Sequence, residues 1–270
     1  MLKEYTSEFY NEPIIVENID WDVTVSILDN LERESIYSWY DLKNKNTPSD
    51  YINKWILGWL MQESVNKILI LWAWGWAYIK YIEDHFIYAD ITSVDIDPAM
   101  IEIAKKELEV ECENIFTDDV LQFTDKLTQK WEKFDLILFD IYGSTGEIPK
   151  HIVCDKLFNN LSRLLYPSGI FSINYANFFL KSHDLIDQER KKKYISIHRE
   201  LVNIYWEHFI TFLSPESEGW NVSVSYNLDK TYTLEDIKKE YFRKVEFEDI
   251  EADNNLIENI KLDEKKIFLR

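Results

Sequence analysis

The run Lys67-Ile-Leu-Ile-Leu-Trp-Ala-Trp-Gly-Trp-Ala77 decides how the rest of the chain is read. Lys67 to Leu71 is uninterrupted and apolar, the pattern of a strand buried on both faces of a parallel sheet. Leu71 to Ala77 then turns the chain from that strand into a helix. Downstream the alternation repeats. Ile91–Ile96 reads as a strand, and Asp97-Pro98 opens a helix with Asp as its cap and Pro in its first turn. Met100, Ile101, Ile103, Ala104 and Leu108 fill the buried face of that helix. Glu113–Phe116 is a third strand, followed by a helix from about Asp119. Phe134–Asp140 is a fourth, and a helix from His151 to Leu165 is stopped by Tyr166-Pro-Ser-Gly169 before a fifth, Gly169–Asn174.

Such alternation predicts a doubly wound, mostly parallel α/β sheet. A charged helix is expected from His183 to Glu207. The gap between the last two strands, Phe209–Leu213 and Asn221–Tyr226, is too short for a parallel crossover, so they should form an antiparallel hairpin. Upstream, Pro13–Glu17, Asp22–Leu28 and Glu34–Tyr37 read as short strands, with Asp29-Asn30 as a turn. Thr47 to Asp50 caps a helix from Tyr51 to Gln62. The expected architecture is a seven-stranded Rossmann-like sheet with helices on both faces, ending in that hairpin. A small β-rich region with a linking helix (1–65) precedes the cofactor-binding domain (66–230), and a helix with an acidic tail (231–270) follows it.

Composition narrows the function. The net charge of −19 disfavours a non-specific nucleic-acid binder, because phosphates would be repelled. It suits cationic partners, and equally a merely soluble surface. No apolar run reaches the ~18 residues of a membrane-spanning helix, and Met1-Leu-Lys-Glu-Tyr5 lacks the form of a signal peptide. Cys112 and Cys154 stand apart without ligand-like neighbours, so a cytoplasmic protein with reduced thiols and no metal is expected.

In an open α/β sheet, ligands bind beyond the carboxyl ends of the strands where the strand order reverses. That places chemistry after Leu71, Ile96, Phe116 and Asp140. Asp95 ends its strand about 20 residues after the first turn, where an acid commonly bonds ribose hydroxyls. Asp118-Asp119 follows the third strand, and Asp140 ends the fourth. Any one of these acids could be a turn former or a helix cap. Three in register with a cofactor turn describe a nucleoside site.

Several segments resemble the spermidine synthase (polyamine aminopropyltransferase) family, with its looser relatives on the class I methyltransferase fold. They are Ser93-Val-Asp-Ile-Asp-Pro98, Asp119-Val-Leu-Gln-Phe123, Phe134-Asp-Leu-Ile-Leu-Phe-Asp-Ile-Tyr142, Ile148-Pro-Lys-His-Ile152 and Pro167-Ser-Gly-Ile170, behind N-terminal hairpins. The resemblance runs from about Asp22 to Tyr226. It implies a cofactor, S-adenosylmethionine or its decarboxylated form, held by the turn (Trp72, Trp74, Gly75, Trp76) and by Asp95, Ile96, Asp118 and Asp119. It implies that Asp95 binds the ribose and Asp119 the adenine amine, and that Asp140 accepts a proton from an attacking amine. Tyr37, Tyr51 and Tyr142 fall where the family contacts its small amine substrate, and a homodimer or homotetramer is implied. The alternatives are a class I methyltransferase of unknown acceptor and a non-catalytic homologue. Three features depart from the family pattern. No second acid follows Asp140 before Glu147, Tyr37 stands where the family has a glutamine, and Tyr51-Ile-Asn53 replaces a Tyr-His-Glu element. The acceptor is therefore left open.

The turn itself is anomalous. Its backbone needs positive φ and a close approach to ligand, which glycine permits, yet Trp72, Trp74 and Trp76 occupy it. The chain holds 10 Trp and only 6 Gly, against a usual glycine share of roughly 7%. Trp21, Trp39, Trp131 and Trp220 fall at expected turns, whereas Trp55, Trp59 and Trp206 could sit in helices. The expectation is that all ten are UGA codons of an organism that reads UGA as glycine. Its rivals are a degenerate turn filled by aromatics and an aromatic cradle that stacks on a base or cation.

Overall fold

The computed structural model describes residues 1–9, 13–28, 34–45, 61–71, 76–85, 88–142, 148–175, 185–204, 208–215, 220–228, 232, 233, 235–240 and 243. The expected helix 51–62 therefore lies almost wholly outside the described residues.

Apolar runs became strands where expected. β5 (Lys67–Leu71), α1 (Ala77–His85), β6 (Asp90–Asp95), α2 (Pro98–Lys106), β7 (Ile115–Thr117), α3 (Val120–Gln129) and β8 (Phe134–Phe139) alternate along the chain. They are followed by α4 (Asp155–Leu164), β9 (Leu165–Tyr175), α5 (Leu185–Ile204), β10 (Phe209–Pro215) and β11 (Trp220–Tyr226). The seven strands order as β10-β11-β9-β8-β5-β6-β7. β7, β6, β5, β8 and β9 run parallel, and β11 and β10 antiparallel, so the terminal hairpin forms as read. The chain leaves β5 toward β7 and returns to β8 on the other side, which puts the reversal of strand order between β5 and β8. Right-handed crossovers then set α1 and α2 against one face and α3 and α4 against the other. Asn160 of α4 donates to Asp125 of α3 at 2.8 Å, tying the second pair together.

Ile68, Leu69, Ile70 and Leu71 of β5 and Leu136, Ile137 and Leu138 of β8 are buried, as a two-sided core strand requires. Truncating one of them to Ala would cost about 2–5 kcal/mol. Asp97 caps α2, its carboxylate accepting from Ala99 N at 2.9 Å, with Pro98 as the first helical residue.

A second sheet, β1 (Leu2–Tyr5), β2 (Ile14–Ile19), β3 (Asp22–Leu28) and β4 (Glu34–Asp41), is antiparallel throughout. It docks on α1 and α2. Tyr40 donates to Asp84 at 2.7 Å, and Ser38 Oγ accepts from the Ala77 amide at 3.2 Å. Ser7 donates to Asp97 at 2.5 Å, and Lys3 and Tyr5 donate to Glu107.

The structure departs from the sequence reading in five places, the first being Trp220, which opens β11 paired with Pro215 and does not lie in the hairpin loop. β1 was not expected. β4 extends to Asp41, so Trp39 lies within a strand and not at a turn, its Nε1 donating to Asp22 at 3.3 Å. The helix expected from His151 begins only at Asp155, after a 3-10 turn at Lys150–Ile152. β9 begins at Leu165 in place of Gly169, because Tyr166 to Gly169 pass close to β8 in extended form. There a Cβ on Gly169 would stand 2.8 Å from the Phe134 carbonyl, and the β8–β9 register shifts.

Candidate active site

Strand register builds the site. Leu71 pairs with Val94 on one side and with Phe139 on the other, and Phe139 pairs with Ile173. One residue further along, Asp95, Asp140 and Asn174 therefore share a row at the ends of β6, β8 and β9. Thr117 pairs with Asp95, which places Asp118 one step beyond. The row lies at the carboxyl ends of the parallel strands and spans the point where their order reverses, as the rule for open sheets requires.

Asp95 is buried, and its carboxylate accepts from the Asp97 amide at 2.8 Å. Its carbonyl takes the Asp118 amide at 3.0 Å, and Ile96 between them is half-buried. Asp118 accepts from its neighbour Asp119 N at 3.0 Å and pairs with Lys126 at 2.5 Å. Asp119 is the N-cap of α3. One oxygen takes Leu121 N at 3.0 Å and Gln122 N at 3.2 Å, and the other meets His151 Nε2 at 3.2 Å.

Asp140 differs from all of these. It is 3% exposed, and among the described residues its carboxylate accepts one bond, 2.9 Å from Asn174 Nδ2. Burial pushes its pKa up to about 7, against the smaller lowering effect of that bond. Its amide reaches the Leu71 carbonyl at 3.4 Å. Tyr142 is also buried, and its hydroxyl donates to the Asn174 carbonyl.

Trp76 is fully buried at the start of α1, and its Nε1 has no hydrogen-bond partner among the described residues. Trp72, Trp74, Gly75 and Tyr51 lie outside the described residues, and so does the side chain of Tyr37 in β4. Asn174 and His151 were missed as site residues. The sequence marks His151 only through the Ile148-Pro-Lys-His segment, and Asn174 only as a polar residue ending an apolar strand.

Chemically the row offers buried carboxylates, at Asp95 and Asp140, that can accept from hydroxyl and amine donors. Among the described residues no cluster could hold a metal ion, and no helix is long and apolar enough to cross a membrane. Both thiols are free. Burial pushes the Cys112 pKa up to about 11, which keeps it unreactive. A cavity of about 430 Å³ lined by Glu83, Asp90, Glu111 and Cys112 opens at the amino end of β6, away from the acid row.

The architecture is that of the class I methyltransferase-like fold. The sequence profile of the spermine/spermidine synthase domain matches residues 61–224, and the chain belongs to that family. A polyamine aminopropyltransferase of Vibrio vulnificus is 24% identical over 220 residues, covering 80% of this chain and 69% of its own length. The eEF1A lysine and N-terminal methyltransferase homolog of Drosophila melanogaster is 25% identical over 115 residues, covering 40% of this chain but only 17% of that protein. Among solved structures, the spermidine synthase of Thermotoga maritima superposes with a TM-score of 0.65 at 15% identity, over 98% of this chain and 87% of that one. Human methyltransferase-like protein 13, in complex with SAH, gives 0.58 at 16% identity, over 76% and 94%.

Proposed function

We propose that the chain is a spermidine synthase-like transferase of polyamine-biosynthesis type that alkylates an amine, aminopropylation being the leading form. The cofactor is decarboxylated S-adenosylmethionine or S-adenosylmethionine itself, and the setting is cytoplasmic. One observation carries the reading: Asp140, buried and with its pKa raised to about 7, stands in the same row as Asp95 beside the β5 turn. When bound, the sulfonium supplies an activated carbon and a thioether leaving group, so that a C–N bond forms as the C–S bond breaks. The chain's own work is alignment and proton transfer. Asp95 holds ribose hydroxyls, Asp119 faces the adenine amine, and Asp140 takes the proton that the attacking nitrogen sheds. A carboxylate with a pKa near neutrality accepts that proton and returns it to water.

A methyltransferase is the second reading, favoured by the lack of a second acid between Asp140 and Glu147. Incubation with decarboxylated S-adenosylmethionine and putrescine, 1,3-diaminopropane or n-propylamine should release methylthioadenosine. Release of S-adenosylhomocysteine from S-adenosylmethionine instead would select the second reading, and no product from either would sink both.

The reading includes glycine at the ten Trp positions, through UGA codons decoded as glycine. Two turns support this beyond composition. β2 and β3 are joined by two residues only, Asp20 with φ 49° and Trp21 with φ 85°. A two-residue hairpin with positive φ at both positions is a type I′ turn, whose favoured sequence is Asp-Gly or Asn-Gly. At the end of α3, Trp131 has φ 59° and its amide bonds the Thr128 carbonyl, while Glu132 N bonds Leu127 O. That is the Schellman pattern with Trp at the position glycine normally takes. Both indoles are exposed, so no packing offsets the left-handed backbone. UGG codons at these positions would refute the recoding. In calorimetry the glycine form should bind S-adenosylmethionine at micromolar concentration and the tryptophan form far more weakly. Equal binding by the two would show that the turn tolerates indoles.

A further inference from the structure

The acid row contains one amide, and the side chains around it are arranged for more than packing. Asn174, at the carboxyl end of β9, is 2% exposed. Its Nδ2 donates to Asp140 Oδ1 at 2.9 Å, and its backbone carbonyl accepts from Tyr142, so Asn174 is clamped between two residues of the segment that follows β8. Its own Oδ1 is buried and has no hydrogen-bond partner among the described residues. A buried amide oxygen without a donor costs free energy, and native structures seldom keep one without a use.

We infer that Asn174 is a positioning residue: its amide NH2 fixes the Asp140 carboxylate, and its unpaired Oδ1 is a second acceptor for the substrate nitrogen. The chemistry needs two acceptors. A neutral primary amine attacks with its lone pair directed at the carbon, which leaves two N–H bonds to be received elsewhere. Asp140 takes one, and as the base it removes a proton. Asn174 Oδ1 takes the other and stays neutral throughout. A single carboxylate and a single amide can orient one nitrogen without a second negative charge. The site therefore fits an amine whose reacting end alone is recognised here, which accords with the missing second acid after Asp140. This inference rests on the transferase reading for the substrate half, and on geometry alone for the Asp140 half.

Among the described residues, the Asp140 carboxylate meets Asn174 of β9, its amide meets the Leu71 carbonyl of β5, and Tyr142 of its own segment donates to Asn174. Burial and Asn174 are the causes acting on its titration, and no charged neighbour among the described residues contributes.

The test combines carboxyl titration with kinetics. Asp residues are labelled with 13C at the side-chain carboxyl, and the Asp140 signal is assigned by its loss in Asp140→Asn. Removing the bond in Asn174→Ala should raise the Asp140 titration midpoint by about one pH unit, since a bond to a charged acceptor holds it down. Asn174→Asp preserves shape, which guards against misfolding, and should raise the midpoint further because two touching carboxylates share a proton. Unchanged midpoints in both variants would overturn the positioning role. With n-propylamine and decarboxylated S-adenosylmethionine, Asn174→Ala should lower kcat about tenfold or more, raise KM for the amine, and move the acid limb of the pH profile with the midpoint. Wild-type kcat and KM in that variant would overturn the acceptor role. A wild-type protein that turns over no amine, yet shows the titration shift, would remove the transferase reading and leave the positioning intact.

Discussion

The two halves of the large sheet treat their carboxylates in opposite ways. On the β6–β7 side the strand-end acids are answered locally. Asp95 holds the Asp97 amide, Asp97 and Asp119 cap helices, and Asp118 pairs with Lys126. On the β8–β9 side Asp140 is sunk among apolar strands with one amide for company, and its pKa climbs to about 7. The first half uses its carboxylates to build strand-end turns. The second keeps one carboxylate undersolvated, with a pKa near neutrality. Position at a strand end is common to both, and environment separates the two kinds of acid.

The sharpest break comes from Asp140→Asn. Turnover should fall about 10²–10⁴-fold if Asp140 is the base. Stability should move the other way. A pKa raised in the folded state means that the folded chain stays protonated while the unfolded chain ionises, so stability falls from about pH 4 to pH 7. Removing that group should stabilise the protein above neutrality by on the order of 4 kcal/mol. Chemical denaturation at pH 7.5 checks it, and a destabilised variant would place Asp140 among the structural acids.

A second buried group on the same side titrates with the reverse sign. His198 of α5 contacts the Tyr226 hydroxyl at 2.6 Å, and burial holds its pKa down at about 4. The unfolded chain takes up a proton below about pH 6.5 while the folded chain waits until about 4. Stability is thus present above 6.5 and is lost as pH falls, by on the order of 3 kcal/mol. Over pH 4 to 6.5 this opposes the Asp140 effect, so the slope should emerge in Asp140→Asn and vanish when His198→Gln is added.

The cap at Asp119 should cost less. Asp119→Ala should lower unfolding stability by about 1 kcal/mol, while Asp119→Asn retains the cap. Weakened cofactor binding in Asp119→Asn with stability intact would give Asp119 a ligand role beyond its helix. Smallest of all, Lys126→Ala breaks an exposed pair and should change stability by less than about 0.5 kcal/mol.

Much of this was legible in the letters. Buried parallel strands announce themselves as apolar runs, and the acids that follow them fall where strand ends must be, so the places of Asp95, Asp119 and Asp140 in the fold were readable early. β1 could not: Leu2–Tyr5 is largely exposed, and it is fixed by Lys3 and Tyr5 reaching Glu107 about a hundred residues away. Asn174 was missed for a similar reason. A lone polar residue at a strand end carries no local signal, and its meaning arises only when register sets it beside Asp140. Trp39 misled because a strand longer than expected absorbed it.

The tight turn at Asp20 and Trp21 also reaches beyond the folded molecule. Under the glycine reading, Trp21 marks the first of ten codons that a ribosome with the standard code takes as stop. A borrowed copy of the gene in such a cell would yield a peptide ending at Asp20, before β3 could pair with β2. The same position that lets the chain double back would then act as a border, closing the gene to any recipient that does not share its dialect.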